Sequence, residues 1–343
     1  MEQPKRELFM PAEWHRLQMV QLTWPHENTD WNYMLDEVEA CYIELAKAIS
    51  LRVKLLIVAP DTQKVRATLE KNNVIMNNIT LFEAPTNDTW ARDHAFITLL
   101  GDNVPHYVDF CFNGWGRKFE ASLDNAINGR LYDAGIVSGE YEDCTSFVLE
   151  GGSIESDGKG TILTTSQCLL APHRNQPMDK EEIEKCLKRM LHAERILWLN
   201  HGNLIGDDTD GHVDTVARLA PNDTIVYMQA TDCSDAQYED LRAMEDEITA
   251  LRTAEGKPYR MVALPSPDPI HDEEGERLPA TYANFLIMNN TVLYPTYAQP
   301  ENDRKAAEAL KEAFPSYSIV GIDCRALIKQ HGSLHCVTMQ YPR

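Results

Sequence analysis

The second half of this 343-residue sequence repeats one order of elements, strand, strand, helix, strand, with helices beginning near residues 180, 236 and 303. A recurrence of roughly 60 residues marks a modular fold whose units stack on one another. The same order fits the start of the chain if the run His335–Gln340 supplies the first strand, and Leu17–Thr23, the helix from Trp31 and Val53–Ala59 supply the rest. The units then close into a ring. At about 150 residues per domain the length would allow two domains. Ring closure instead predicts one unit spanning 1–343, an α/β fold of modules around a central axis.

Helical periodicity is clearest in Trp31–Leu51, Asp179–His192, Asp235–Thr253 and Asp303–Ala313, the last three opening on aspartate, a favoured cap. Strand-like runs lie between them. They include Ile79–Glu83, Ala95–Leu100, Tyr107–Phe112, Thr161–Thr165, Ile196–Leu199, Thr224–Met228, Arg260–Leu264, Phe285–Met288, Thr291–Tyr294 and Tyr317–Ile322. Ser266–Pro279, rich in Pro, Asp and Glu, reads as a surface loop. Asp93, Glu150, the pair His212 and Asp214, and Cys336 each fall at or beside the start of a unit's first strand. A ring would carry all of them to one axis.

Charge narrows the partners. With 32 Lys+Arg against 53 Asp+Glu the net charge is −21, which repels a phosphate backbone and attracts small cations. Nucleic acid is excluded as an expected partner. The opening residues lack the apolar core of a secretory signal and no later run is long enough to span a bilayer, so a soluble, cytoplasmic protein without membrane contact is expected. The eight cysteines include no C-x-x-C pair, which favours reduced thiols over disulfides or structural zinc.

The densest polar cluster is DDTDGHVD, Asp207–Asp214. His212 and Asp214 are two apart and would share a face of a strand, as a general acid/base beside a cation-binding carboxylate. A solvated acidic turn is the plain alternative. D-G-H-V-D also looks like the D-x-H-x-D element of dimanganese ureohydrolases, but the second Asp-x-Asp that such a site needs is missing, as are an H-E-x-x-H motif and a calcium loop with glycine at its sixth position. No metal is expected. Cys336 begins an apolar strand after Gly332 and Ser333, suited to aiming a thiol into a cavity, although a buried cysteine there is more often a small hydrophobe. In NDTWARD, Asp93 beside Trp90 suits a planar cation, with an Arg92–Asp93 surface pair as the bland reading. Glu150 precedes Gly151 and Gly152, where backbone can approach a ligand, while Gly158 and Gly160 read as hairpin punctuation.

Taken together, MPAEW at Met10, TWPHENTDW, NDTWARD, FNGWG, EGGSIESDG, DDTDGHVD, Ala280–Phe285 and HGSLHC resemble the agmatine deiminases of the guanidino-group modifying (pentein) superfamily. The likeness covers nearly the whole chain and implies a fivefold pseudo-symmetric α/β-propeller built from ββαβ modules around a central active site. It implies Cys336 as nucleophile, His212 and Asp214 as catalytic histidine and carboxylate, and Asp93 as a grip on the guanidinium, with Glu150 and Asp208 around the substrate. Agmatine would become N-carbamoylputrescine and ammonia through an S-alkylthiouronium on Cys336, a step in putrescine and polyamine biosynthesis. No cofactor has a task in this scheme, and family behaviour suggests a homo-oligomer. Relatives carry R-D-x-G-P and G-G-G-N-I-H-C where this chain has Arg92-Asp93-His94-Ala95-Phe96 and His331–Cys336, so the lining of the entrance is expected to differ. Peptidyl-arginine or another guanidino compound is the alternative substrate. A metal-dependent ureohydrolase and a guanidine-binding protein without turnover are the more distant readings.

Overall fold

The computed structural model describes residues 8–101 and 104–343; residues 1–7 and 102–103 of the expected 1–343 unit lie outside the described residues. Five small sheets follow one plan. The first contains β1 (Leu17–Thr23), β2 (Lys54–Ala59) and β3 (Ile79–Glu83), with helices α1 (Leu35–Ser50) and α2 (Thr62–Lys71) between them. The second is β4 (Ile97–Leu99), β5 (His106–Cys111) and β6 (Glu140–Val148). The third is β7 (Ile154–Ser156), β8 (Thr161–Thr165), α3 (Lys180–Met190) and β9 (Arg195–Leu199). The fourth is β10 (Ala217–Ala220), β11 (Thr224–Met228), α4 (Tyr238–Ala250) and β12 (Arg260–Leu264). The fifth is β13 (Leu286–Met288), β14 (Thr291–Thr296), α5 (Pro300–Ala313) and β15 (Ser318–Asp323). The last strand, β16 (Thr338–Pro342), returns to pair antiparallel with β1 and closes the ring.

In every sheet the first two strands are antiparallel and the next pair is parallel. Local chemistry explains the alternation. The antiparallel pairs turn tightly on residues that tolerate positive φ, such as Gly158 and Gly160 in the third sheet, Asn222 and Asp223 in the fourth, and Asn289 in the fifth. A parallel partner needs a crossover, which the amphipathic helices supply. The result is the expected fivefold pseudo-symmetric α/β-propeller.

Several details depart from the sequence reading. Asp179 does cap α3, in a reciprocal capping box with Glu182. Asp235 instead holds Arg277 at 2.7 and 2.9 Å while α4 starts at Tyr238, and Asp303 lies inside the first turn of α5, accepting the Tyr297 and Gln299 amides at 3.1 Å each. The final strand starts at Thr338, so His335 and Cys336 stand in the turn before it. β6, β7, β10 and α2 have no counterpart among the expected elements, because β7 and β10 are too short to show a period and β6 alternates polar residues. Among the described residues no helix is long and apolar enough to cross a membrane.

The first strands β16, β4, β7, β10 and β13 are buried at every residue, because one side faces the rest of its own module and the other faces the axis. The segments just before these strands therefore converge. The 3-10 turns Gly151–Ser153 and Val213–Thr215 touch each other, and the short helical turn Ala91–His94 touches both Gly151–Ser153 and β16.

Candidate active site

Each module brings a polar residue to one end of the axis. Asp93 rides on the helical turn Ala91–His94, and its Oδ2 accepts the Trp115 indole N–H at 2.9 Å while Oδ1 accepts the Gly152 amide at 3.0 Å. His212 stands immediately before the turn that carries Asp214, with Nδ1 3.7 Å from Asp93 Oδ1. Here the sequence reading is corrected. His212 and Asp214 do not share a strand face; a 3-10 turn places them, and β10 begins only at Ala217. Cys336 donates its thiol to Asn284 Oδ1 at 3.4 Å, and that same oxygen accepts the amides of His335 and Cys336 at 2.8 and 3.3 Å. Glu150 Oε1 accepts from Arg174 Nε at 2.8 Å.

Four atoms in this group are buried without a protein hydrogen-bond partner: both ring nitrogens of His212, Asp214 Oδ1 and Glu150 Oε2. Buried polar groups are almost always bonded, so such a concentration points to a polar ligand. Gly152 is what lets them approach. A Cβ there would lie 2.6 Å from His212 Nδ1 and 3.0 Å from Asp214 Oδ2 and Asp93 Oδ1, so any side chain would fill the space between them.

Trp90 and Asp208 line the slit that leads outward from Asp93 and Cys336, together with Asp30, Asp88, Trp115 and Phe119. The Trp90 wall is fixed from two sides. Its indole N–H donates to Asp88 at 3.0 Å, and Gly332 lies so close that a Cβ would meet the ring at 2.1 Å. Trp115 comes from a left-handed turn in which Gly114, Trp115, Gly116 and Arg117 all have positive φ, a conformation that costs of order 1–3 kcal/mol at each non-glycine residue. At Gly114 glycine is required, since a Cβ would sit 2.2 Å from the Phe119 carbonyl oxygen. Lys118 ties the turn to the other wall by donating to the Asp208 carbonyl, and to Asp210 at 2.8 Å. Asp208 thus faces the slit, while the turn around His212 is held by Asp207 and Thr209: Gly211 donates to Asp207 at 2.8 Å and the His212 amide to Thr209 at 3.1 Å.

Burial sets the charge state of these groups. It pushes the Asp93 carboxyl up to about 7 against the Trp115 bond, and raises Asp214 well above the carboxylate range with Asp93 adding to the effect. Glu150 is raised by burial, with Arg174 opposing. Burial, then the charges of Arg174 and Lys118, holds His212 well below the usual imidazole value, and burial, then Asp214 and Asp93, lifts the Cys336 thiol far above its own. The free site therefore favours the neutral forms. A cation bonded to the carboxylates would oppose the upward shifts of Asp93, Asp214, Glu150 and the Cys336 thiol.

Beneath this group, along the axis, lies a second polar layer. Arg218, fully buried, donates to Glu155 and Glu13 at 2.5 Å each and to the carbonyls of Ala283 and Phe285. Arg92 points into this layer toward Glu13, at 3.3 Å, and Gln340. The bland Arg92–Asp93 surface pair is thus ruled out, since both side chains are buried and Arg92 turns away from its neighbour. His335 joins the layers, its Nδ1 2.7 Å from Asp214 Oδ2 and its Nε2 2.7 Å from Glu13 Oε1.

Among the described residues two triads have metal-binding donors within 4.8 Å of one another. Glu13, Glu155 and His335 are already threaded by Arg218. Glu150, Cys168 and His212 have free donor atoms, but the fixed positive charge of Arg174 against Glu150 opposes a divalent ion. The sequence reading missed Asn284, Trp115, Arg174 and Glu13. Asn284 had a positional signal, since it precedes the first strand of the fifth module as Cys336 does that of the first.

A family described as Porphyromonas-type peptidyl-arginine deiminase has a sequence model that matches residues 9–342. The solved structure of the "Putative Arginine Deiminase from Porphyromonas gingivalis" superposes with a TM-score of 0.93 at 49% identity, covering 98% of this chain and 99% of that one. An agmatine deiminase of C. jejuni, a Cys-to-Ser variant with substrate bound, gives 0.91 at 36% identity, covering 100% and 98%. A Legionella pneumophila protein named "Putative agmatine deiminase" is 34% identical, covering 98% of this chain and 95% of its own.

Proposed function

The chain belongs to the Porphyromonas-type peptidyl-arginine deiminase family, and from that premise we propose that it hydrolyses agmatine to N-carbamoylputrescine and ammonia, with Cys336 as nucleophile. The carrying observation is the set of buried, unpartnered atoms on His212, Asp214 and Glu150 beside Asp93 and the Cys336 thiol. A guanidinium is permanently charged and resonance-stabilised, so its carbon resists water near neutral pH. The site must hold the charge and supply a stronger nucleophile.

In this reading Asp93 and Asp214 ionise as they take the guanidinium nitrogens, and Trp90 and Trp115 wall the slit through which the chain passes. Two carboxylates neutralised by a cation no longer oppose thiolate formation. The Cys336 proton passes to His212 and the thiolate attacks the guanidinium carbon. His212 then protonates the departing ammonia, leaving an S-alkylthiouronium, and serves as base for the water that releases the ureido product. Glu150, held by Arg174, completes the ring of acceptors, and Asn284 supports the sulfur.

The slit favours agmatine over arginine. Asp30, Asp88 and Asp208 line it, which suits the second positive end of a diamine and repels an α-carboxylate. Lys118 bridging the slit to Asp208 and Asp210 favours a slender free guanidine over a peptide. In this reading the product is a carbamoyl derivative of putrescine, and the reaction is a step in polyamine biosynthesis. The deciding experiment offers agmatine, arginine and an arginine peptide to wild-type and Cys336→Ala protein in the presence of EDTA. Ureido product and ammonia from agmatine, absent with the variant, is the expected result. Urea that vanishes with EDTA, or turnover of the peptide alone, would overturn the proposal.

A further inference from the structure

We propose that Glu13 and His335 form a proton relay that carries the Asp214 proton away from the active site, toward the opposite end of the axis, when the cationic substrate binds. This rests on the guanidinium-binding role proposed above for Asp214. Three observations carry it. Asp214 is fully buried, with Oδ1 left without a protein partner and Oδ2, at the edge of the space beside Gly152, 2.7 Å from His335 Nδ1. His335 is fully buried too, and its other nitrogen reaches Glu13 Oε1 at 2.7 Å. Glu13 is 15% exposed and lines a small cavity with Met10, Thr98 and Gln340 on the side away from the slit. The three groups connect the sealed carboxyl to that cavity.

The charges around the line fix its direction. Against its own burial, the charges of Arg218 and Arg92, with the His335 hydrogen bond, hold Glu13 well below the carboxylate range, so it is the anion. Burial, then Arg218 and Arg92, keeps His335 neutral, while Asp214 holds its proton in the free protein. His335 Nε2 meets Glu13 Oε1 at 2.7 Å and Arg218 Nη2, a donor only, at 3.0 Å; the shorter contact assigns the Nε2 hydrogen to Glu13, leaving Nδ1 to accept the Asp214 O–H. Asp93, beside Asp214, and Glu155, paired with Arg218 at 2.5 Å, are the remaining charges against this group.

When a guanidinium docks on the site side, Asp214 must ionise, and a proton leaving toward the slit would meet the incoming positive charge. Along the relay the Asp214 O–H bond breaks as Nδ1 gains the proton, and the Nε2–H bond breaks as Glu13 gains one. The net transfer is one proton from Asp214 to Glu13 and on to solvent. Release of the neutral ureido product reverses both hops, which restores the original tautomer without a ring flip.

The test uses Cys336→Ala protein, which binds without turning over, mixed with agmatine in weakly buffered solution near neutral pH with a pH indicator. More than one proton per site should appear, one from Asp214 and a fraction from Asp93, and Glu13→Gln in the same background should slow the Asp214 part roughly ten-fold or more, because an amide cannot accept a proton. Glu13→Asp should recover much of the rate, and calorimetric affinity for agmatine should change little. If Glu13→Gln does not fold, the Glu13-intact protein decides alone: release through two hops should slow markedly in deuterium oxide. Proton release at an unchanged rate in folded Glu13→Gln, release insensitive to deuterium, or agmatine binding without any release would each overturn the relay. Absence of agmatine binding would instead strike the proposed function, and the relay with it.

Discussion

The two polar layers on the axis are made of the same materials and behave in opposite ways. Toward the slit, Asp93, Glu150, His212 and Asp214 are buried with four atoms lacking partners. Beneath them, Glu13 and Glu155 are matched by Arg92 and Arg218 at 2.5 to 3.3 Å. A buried carboxylate left unsatisfied costs stability, whereas one paired with arginine roughly breaks even and resists the loss of either partner. The lower layer is a self-satisfied plug that fixes the ring. The upper layer is held open by that rigidity, its deficit awaiting a cation.

The contrast is sharpest if one layer can be damaged without the other. Cys336→Ala should abolish turnover, by about 10⁴-fold or more, with unchanged melting, as paired rate and calorimetric measurements would show. Next, the two layers should respond in opposite ways to loss of one charge. Asp93→Asn should lower kcat/KM by about 10²–10³-fold while stability stays within about 1 kcal/mol, since an amide oxygen can still accept from Trp115 or Gly152. Arg218→Met should destabilise by about 3–5 kcal/mol, because it strands Glu13 and Glu155 in the interior. Denaturant titration of both variants would break the comparison if Asp93→Asn proved the less stable.

pH should separate the layers more gently. Asp93 holds its proton up to about 7 in the folded chain against 3.8 when unfolded, so between those values the folded state binds more protons and ligand-free stability falls as pH rises. The effect is of order 4 kcal/mol, and saturating agmatine should flatten it. Glu13 acts in the other direction. Its depressed value contributes stability above the ordinary carboxylate range that is lost as pH falls through the folded value. Melting temperatures from pH 2 to 8, with and without agmatine, would show both limbs or refute them. Smallest of all, Lys118→Met should change stability by less than about 1 kcal/mol, since the Lys118–Asp210 pair is over a third exposed on both sides. Its effect belongs in KM, and an arginine peptide should gain relative to agmatine.

Much of this was legible before any coordinates. β1, β3, β8, β11 and β12 occupy the runs expected for them, because each is an apolar, β-branched segment bounded by turn residues. Ring closure was readable from element order, since a strand at the far end was needed to complete the first module. What was not readable is where side chains point. Arg92 and Asp93 are neighbours in sequence yet serve different layers, and a helical turn, not a strand, decides that. Glu13, in the MPAEW segment, carries no local sign that it reaches Arg218, 205 residues away. Trp115 depends on a run of positive φ values that a single sequence announces only through its two flanking glycines.

The convergence of five modules on one axis has a consequence for how the protein is made and lost. Gly152 meets Asp93 59 residues away in sequence, and His335 meets Asp214 across 121, so the site consists almost wholly of contacts that local folding cannot form. Such topologies fold slowly, since distant segments must be brought together before their contacts reward the loss of freedom. Activity should therefore be the last property gained on refolding. It should also be the first lost when two neighbouring modules part, before the sheets themselves have melted.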